Sequence, residues 1–275
     1  MIKTSLLLLV FNGENYLNRA LDSVYCQTIK LNEVIIINDA SDDLTINIIK
    51  KWSDRLPIKI INNKKNIGTF ASLKKGVLFC TGDLIFRIDH DDQWTKDHVE
   101  EIMKLYHEDN NAKLFASRAL YLDQDHKFIK YSRCISDKHI RKNLLWDNPI
   151  VQSSTAFFKK DFIHLNRSID LYSSEDYHLW ISLLNLGSFK FCNKVTVRYF
   201  VYKNSLSRKN IKRSLNERFT CQKLALKIYF KKFPIYAFFI GIILFLRLFF
   251  FKFINFSKKI FNFFASAMFL FALFL

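Results

Sequence analysis

Three carboxylates fall within four residues in the stretch RIDHDDQW: Asp89, Asp91 and Asp92. Like charges at this spacing repel, so all three stay ionised together only with a cation among them. The apolar run Leu84-Ile85-Phe86 leads into them, which places the acids at the end of a strand. Two other polar clusters also follow apolar runs. Asn12-Gly13 comes after residues 5–11, and Asn38-Asp39-Ala40-Ser41-Asp42-Asp43 comes after residues 33–37. Farther along, Glu175-Asp176 opens the strongly apolar stretch 177–186. Acids in a first helical turn complement the helix dipole, so that pair has a structural use whatever its chemistry.

The elements that must hold these residues alternate in type. Residues 5–11, 33–37, 58–61 and 84–88 read as strands, each a short apolar or β-branched run. Between them, Leu17, Ala20, Leu21, Val24 and Tyr25 recur at helical spacing, as do Ile46, Ile49 and residues 50–52, then residues 70–79. Alternation of this kind means crossover units and a largely parallel sheet, whose ligands bind beyond the carboxyl ends of the strands. The acids and Asn12-Gly13 occupy those ends. Later strands are expected at 114–117, 155–158, 189–191 and 195–200.

Charge divides the chain. The net charge of +17 belongs almost wholly to the last third, because Glu217 is the one acid after residue 176. Two apolar segments follow the basic stretch, residues 235–251 and 260–275, each slightly short of the ~20 residues a spanning helix needs. Nucleic-acid binding would explain the charge but not the apolar tail. Attachment at the cytoplasmic surface of a membrane explains both, since Lys and Arg near anionic lipid each contribute about 1 kcal/mol. Two spanning helices are the alternative, though they place Lys252, Lys258 and Lys259 on the far side, against the positive-inside tendency. The five cysteines have no metal or redox spacing and suggest a reducing compartment. The apolar start is too short for a signal peptide and reads as a buried first strand.

Six segments in order resemble the family 2 glycosyltransferases over about residues 3–208: LLVFNGENYLNRALDSVYCQT, EVIIINDASDD, NNKKNIGTFASLKKG, TGDLIFRIDHDDQW, SSEDYHLWISLLNLG and VRYFVYKNSLSR. The resemblance implies an α/β, GT-A nucleotide-diphospho-sugar transferase fold, with a mostly parallel Rossmann-like sheet flanked by helices. It implies a nucleotide-sugar-binding half at 1–112 and an acceptor-side half at 113–208. A basic helical connector at 209–233 and a membrane-associated segment at 234–275 would complete the chain.

By the same resemblance, Asp39 contacts the nucleotide base, often uracil in this family. Asp91 ligates a divalent metal that bridges the diphosphate, with Asp89 its partner toward the ribose. Hard oxygen ligands suit Mg²⁺ or Mn²⁺. Asp92 is a supporting acid, and His90 is not a ligand. Phe11, Asn12, Glu14, Lys74 and Glu175 are assigned to the donor pocket, and Asp176 is the catalytic base. Trp94 and Trp180 read as packing, and Gln152-Ser153-Ser154 as either a donor or acceptor contact or a polar strand start. Two departures stand out. Leu73-Lys74 replaces a usual Arg-Asn, with Lys74 the substitute contact. Tyr199-Phe200-Val201-Tyr202 replaces Tyr-Arg-x-His, so no diphosphate contact is carried over to that loop.

The expected activity is inverting, metal-dependent transfer of a sugar, from a nucleoside-diphosphate donor expected to be UDP-linked, to a hydroxyl of a lipid-linked or surface glycan at the cytoplasmic face of the cell membrane. A polyprenyl-phosphate sugar synthase of the same fold is the alternative, because a phosphate acceptor needs little help from a general base. A glycoside hydrolase also uses paired carboxylates, but would not need a nucleotide site at the strand ends.

Overall fold

The first strand, β1 (Thr4–Val10), is buried at every residue, because it lies between two parallel neighbours and is covered on both faces. A strand with no solvent face keeps no polar alternation, which is why its sequence is a continuous apolar run. Its neighbours are β2 (Glu33–Asn38) and β4 (Leu84–Asp89), and β3 (Ile58–Asn62) adds to β2. Helices α1 (Leu17–Tyr25), α2 (Thr45–Trp52) and α3 (Thr69–Phe79) make the crossovers. One face of the sheet (Leu6, Leu8, Ile36, Phe86, Ile88) joins Leu17, Leu21, Ile49 and Ile102 in the main core. On the other face α3 packs so closely that a Cβ on Gly76 would lie 2.4 Å from Leu7 Cδ1.

The computed structural model describes residues 2–165, 173–202, 210–229, 234 and 238–243. Most of the expected membrane segment 234–275 lies outside them. Among the described residues no helix is long and apolar enough to cross a membrane.

After β4 the architecture changes. The remaining elements are β5 (Gln93–Trp94), α4 (His98–Glu108), β6 (Leu114–Asp123), β7 (Phe128–Tyr131), α5 (Ile140–Trp146), a 3₁₀ turn (Gln152–Ser154), β8 (Thr155–Phe158), α6 (Lys159–His164), α7 (Glu175–Leu186), β9 (Phe189–Val201) and α8 (Ile211–Tyr229). The sheet order is β3-β2-β1-β4-β8-β6-β9-β5, with β7 hairpinned onto β6. Strand β8 runs antiparallel to both β4 and β6, and β5 antiparallel to β9. The sheet is therefore mixed. The expected parallel character holds for β1–β4, where crossover helices join successive strands, and for the β6–β9 pair. The two short strands expected at 189–191 and 195–200 are one strand, since Cys192-Asn193-Lys194 breaks the apolar pattern while the pairing with β6 continues through register shifts. By contact the chain divides into two units, Met1–Gln222 and Lys223–Leu275, and every site residue lies in the first.

Candidate active site

The loops after β1 and β2 are tied to each other by their own polar groups. Asn12 N–H donates to Ser41 Oγ, and Asp42 N–H donates back to Asn12 Oδ1. Glu14 repeats the pattern: its N–H donates to Asp43, and its carboxylate accepts from Leu44 N–H at 3.1 Å. Asn12 and Ala40 both take left-handed backbone conformations (φ 52° and 63°), rare for residues with a Cβ and concentrated at functional sites. Phe11 is exposed at this rim.

Asp39 is buried and accepts three hydrogen bonds: Asn63 Nδ2 at 2.7 Å, Ile67 N–H at 3.0 Å and Gly68 N–H at 2.9 Å. The left-handed Gly68 (φ 84°) caps α3 and turns its amide toward this carboxylate. Lys75 joins the cluster by donating to Asn63 Oδ1 at 2.6 Å. Lys74 is exposed, with its Nζ 4.6 Å from the Phe70 ring centroid.

At the end of β4 the acids are held differently. Ser153 Oγ accepts from Asp89 N–H and donates to Asp92. Asp92 also accepts from Phe200 N–H, so it is a fully buried strut between the acidic turn and β9. Gln152 Nε2 donates to Asp89 Oδ1 at 2.8 Å, so the polar residues before β8 do reach the acids. Trp94 and Trp180 are buried packing residues, Trp94 stacked on His98 and Trp180 against Phe157.

One of the protein's own cations in this cluster is Arg87. It is 1 % exposed, its Nη2 is 3.7 Å from Asp89 Oδ1, and none of its guanidinium nitrogens finds a hydrogen-bond acceptor among the described residues. Burial lowers its basicity, while Asp89, Glu175 and Asp176 restore part of it. An arginine inside an otherwise apolar strand was the signal in the sequence, and the expected site residues omitted it.

Arg87 faces Asp89, Glu175 and Asp176, while Arg19 acts on Asp91, so the acids outnumber the cations. Burial first, then His90 and Asp89, act on Asp91, and the net effect raises its pKa; no hydrogen bond from another described residue reaches its carboxylate. Burial, then Asp91 and Asp89, raises Asp92 strongly. At the start of α7, burial and Asp176 push Glu175 up to about 8, and its Oε2 is buried without a partner among the described residues. Burial pushes Asp176 up to about 6, against the hydrogen bonds from Tyr177 N–H and Asn148 Nδ2 (2.6 and 2.7 Å). Helix α8 buttresses this edge: Glu217 accepts from Ser173 N–H, and Arg218 pairs with Asp147 beside Asn148.

Among the described residues no three His, Cys, Asp or Glu side chains converge as a ready metal cage. The donor set nonetheless fits a magnesium-like ion. Such ions take one or two carboxylates and complete their shell with water and substrate phosphate, and Asp91 presents an unengaged carboxylate beside Asp89.

Residues 5–165 match the pattern of Glycosyl transferase family 2. The amylovoran biosynthesis glycosyltransferase AmsE of Erwinia amylovora is 24 % identical over 186 residues, covering 66 % of this chain and 70 % of that one. The UDP-Gal:alpha-D-GlcNAc-diphosphoundecaprenol beta-1,3-galactosyltransferase of Escherichia coli is 25 % identical over 236 residues, 83 % of each chain. Among solved structures, Staphylococcus aureus TarS 1–349 in complex with UDP-GlcNAc superposes with a TM-score of 0.68 at 15 % identity, covering 83 % of this chain and 67 % of that one.

Proposed function

The chain belongs to glycosyl transferase family 2, and from that premise we propose that it moves a sugar from a nucleoside-diphosphate sugar to an acceptor hydroxyl in one inverting displacement. The observation that carries this reading is the meeting of two acidic sets. Asp89 and Asp91 end β4, Glu175 and Asp176 begin α7, and Arg87 lies within electrostatic reach of Asp89, Glu175 and Asp176. Asp39 lines the nucleotide end of the pocket, where its remaining acceptor capacity suits a base N–H. Asp91, with Asp89, would hold Mg²⁺ or Mn²⁺. When bound, that ion supplies charge neutralisation for the departing diphosphate.

Asp176 serves as general base. A carboxylate raised to about 6 stays mostly ionised at neutral pH and is more basic than an ordinary aspartate. The Asn148 and Tyr177 hydrogen bonds aim it. Glu175, raised to about 8, stays protonated at neutral pH and adds no second negative charge beside it. One displacement needs no covalent intermediate. A lipid-linked or surface-glycan acceptor at the cytoplasmic membrane face accords with the names of the relatives and with the basic, apolar end of the sequence.

Transfer or donor hydrolysis is measured with Mn²⁺, with and without EDTA, for wild type and Asp91→Ala. The expected outcome is a loss of at least 10³-fold in both the chelated and the mutant enzyme. Full activity in either sinks the metal-dependent reading.

A further inference from the structure

Arg19, in the first turn of α1, reaches across to the acidic turn. Its Nη2 donates to the Asp91 carbonyl at 2.6 Å and to Tyr202 Oη at 2.9 Å. Its Cζ lies 3.6 Å from the centroid of the Phe200 ring. Tyr202 is in turn packed on Tyr16 (4.5 Å between centroids) and stacked with Phe200. Three segments far apart in the chain thus grip one guanidinium. The grip leaves most of its donors unspent among the described residues: Nε is buried without an acceptor there, and Nη1 makes no hydrogen bond.

A guanidinium carries five N–H donors in a planar fork. Nη2 spends its two on protein. The other three find no acceptor among the described residues, and the one on Nε is buried, where an unsatisfied N–H is expensive to retain. Among the described residues no carboxylate forms an ion pair with this guanidinium, although its charge offsets part of the rise at Asp91; its hydrogen-bond acceptors are a carbonyl and a phenol. A cation held flat on an aromatic ring, with its hydrogen bonds pointing past that ring, matches phosphate recognition better than ion pairing. It also fixes the backbone of the residue assigned to the metal.

We propose that Arg19 is the diphosphate-anchoring cation of the donor site, seated on Phe200 and Tyr202 and holding the acidic turn through the Asp91 carbonyl. This rests on the reading of the site as one for a nucleoside-diphosphate sugar. Arg87 cannot take the task, because it is buried beneath the acids. The discriminating chemistry is the phosphates, not the base: losing Arg19 weakens every ligand that carries a diphosphate and spares the nucleoside.

The full-length protein is titrated calorimetrically with UDP and with uridine, each with and without Mn²⁺; GDP with guanosine and TDP with thymidine serve as further pairs. Arg19→Gln should weaken diphosphate binding at least tenfold and leave nucleoside binding within twofold. Arg19→Lys, which keeps the charge but loses the fork, should fall between them and covers the case in which Arg19→Gln fails to fold. If wild type binds a diphosphate and both variants bind it equally well, Arg19 is not the anchor. If nucleoside and diphosphate weaken in parallel, Arg19 is only a brace, and the proposal is overturned. If wild type binds none of the diphosphates, the donor-site reading fails, and this inference fails with it.

Discussion

Carboxylates are used in two opposite ways at the strand ends. After β1 and β2, Glu14, Asp39 and Asp43 each accept backbone N–H groups. At Asp43 burial pulls the pKa up, but the hydrogen bonds from Thr45 and Glu14 bring it below the usual value. After β4 and at the start of α7, backbone donors are scarce and acids crowd together. There burial raises Asp91, Asp92, Glu175 and Asp176 alike. The satisfied set ties the loops after β1 and β2 together, and most of its acceptor capacity is already used by the protein. The frustrated set retains charge and proton affinity, which a cationic ligand or a reacting hydroxyl can use.

Substitutions should separate the two sets. The largest effect is expected for Asp176→Asn, which removes a positioned base: kcat should fall about 10²–10⁴-fold with little change in donor affinity. Wild-type kcat should rise with pH through about 6 as Asp176 ionises, and the residual rate of the variant should lose that dependence. Unchanged transfer in Asp176→Asn would favour a phosphate acceptor instead.

Asp39→Ala tests the satisfied set. It leaves the Ile67 and Gly68 amides and Asn63 without their acceptor, so unfolding stability should drop by roughly 2–3 kcal/mol in urea titrations. A drop in donor affinity with intact stability would move Asp39 to the frustrated set and break the comparison.

The smallest expected effect is that of Glu175→Gln. The folded-state pKa of Glu175 is raised, so its stabilising contribution is complete below its ordinary 4.5 and is lost as pH rises through about 8. The amide cannot ionise. The variant should therefore be more stable than wild type at pH 9, by roughly 1–3 kcal/mol, and no more stable at pH 4. Parallel pH profiles of melting temperature for the two proteins would show that Glu175 ionises without penalty.

Much of this was legible along the chain. The strands and helices up to residue 89 follow from short apolar runs alternating with helical spacing, and the polar clusters end those strands as expected. The acidic quartet Asp89, Asp91, Glu175 and Asp176 was visible from its neighbours and from the family resemblance. The Lys75 contact to Asn63 was not legible, because which side chain of a helix reaches a given partner depends on how that helix sits against it. The mixed half of the sheet was also hidden. Its order, β4-β8-β6-β9, joins strands distant in sequence, and period-2 patterning does not name a strand's partner.

The sequence alone determined where the carboxylates stand and that something cationic must balance them, since both follow from local spacing and charge. The tertiary structure decided which carboxylates are satisfied and which cations answer them. Arg87 lies within the acidic motif but is a counter-ion only because its strand end is buried beneath Glu175 and Asp176. Arg19 meets Tyr202 only because α1 and β9 close on one turn from 183 residues apart. Hydrogen-bond satisfaction and burial are properties of contacts between distant segments, so no local pattern encodes them.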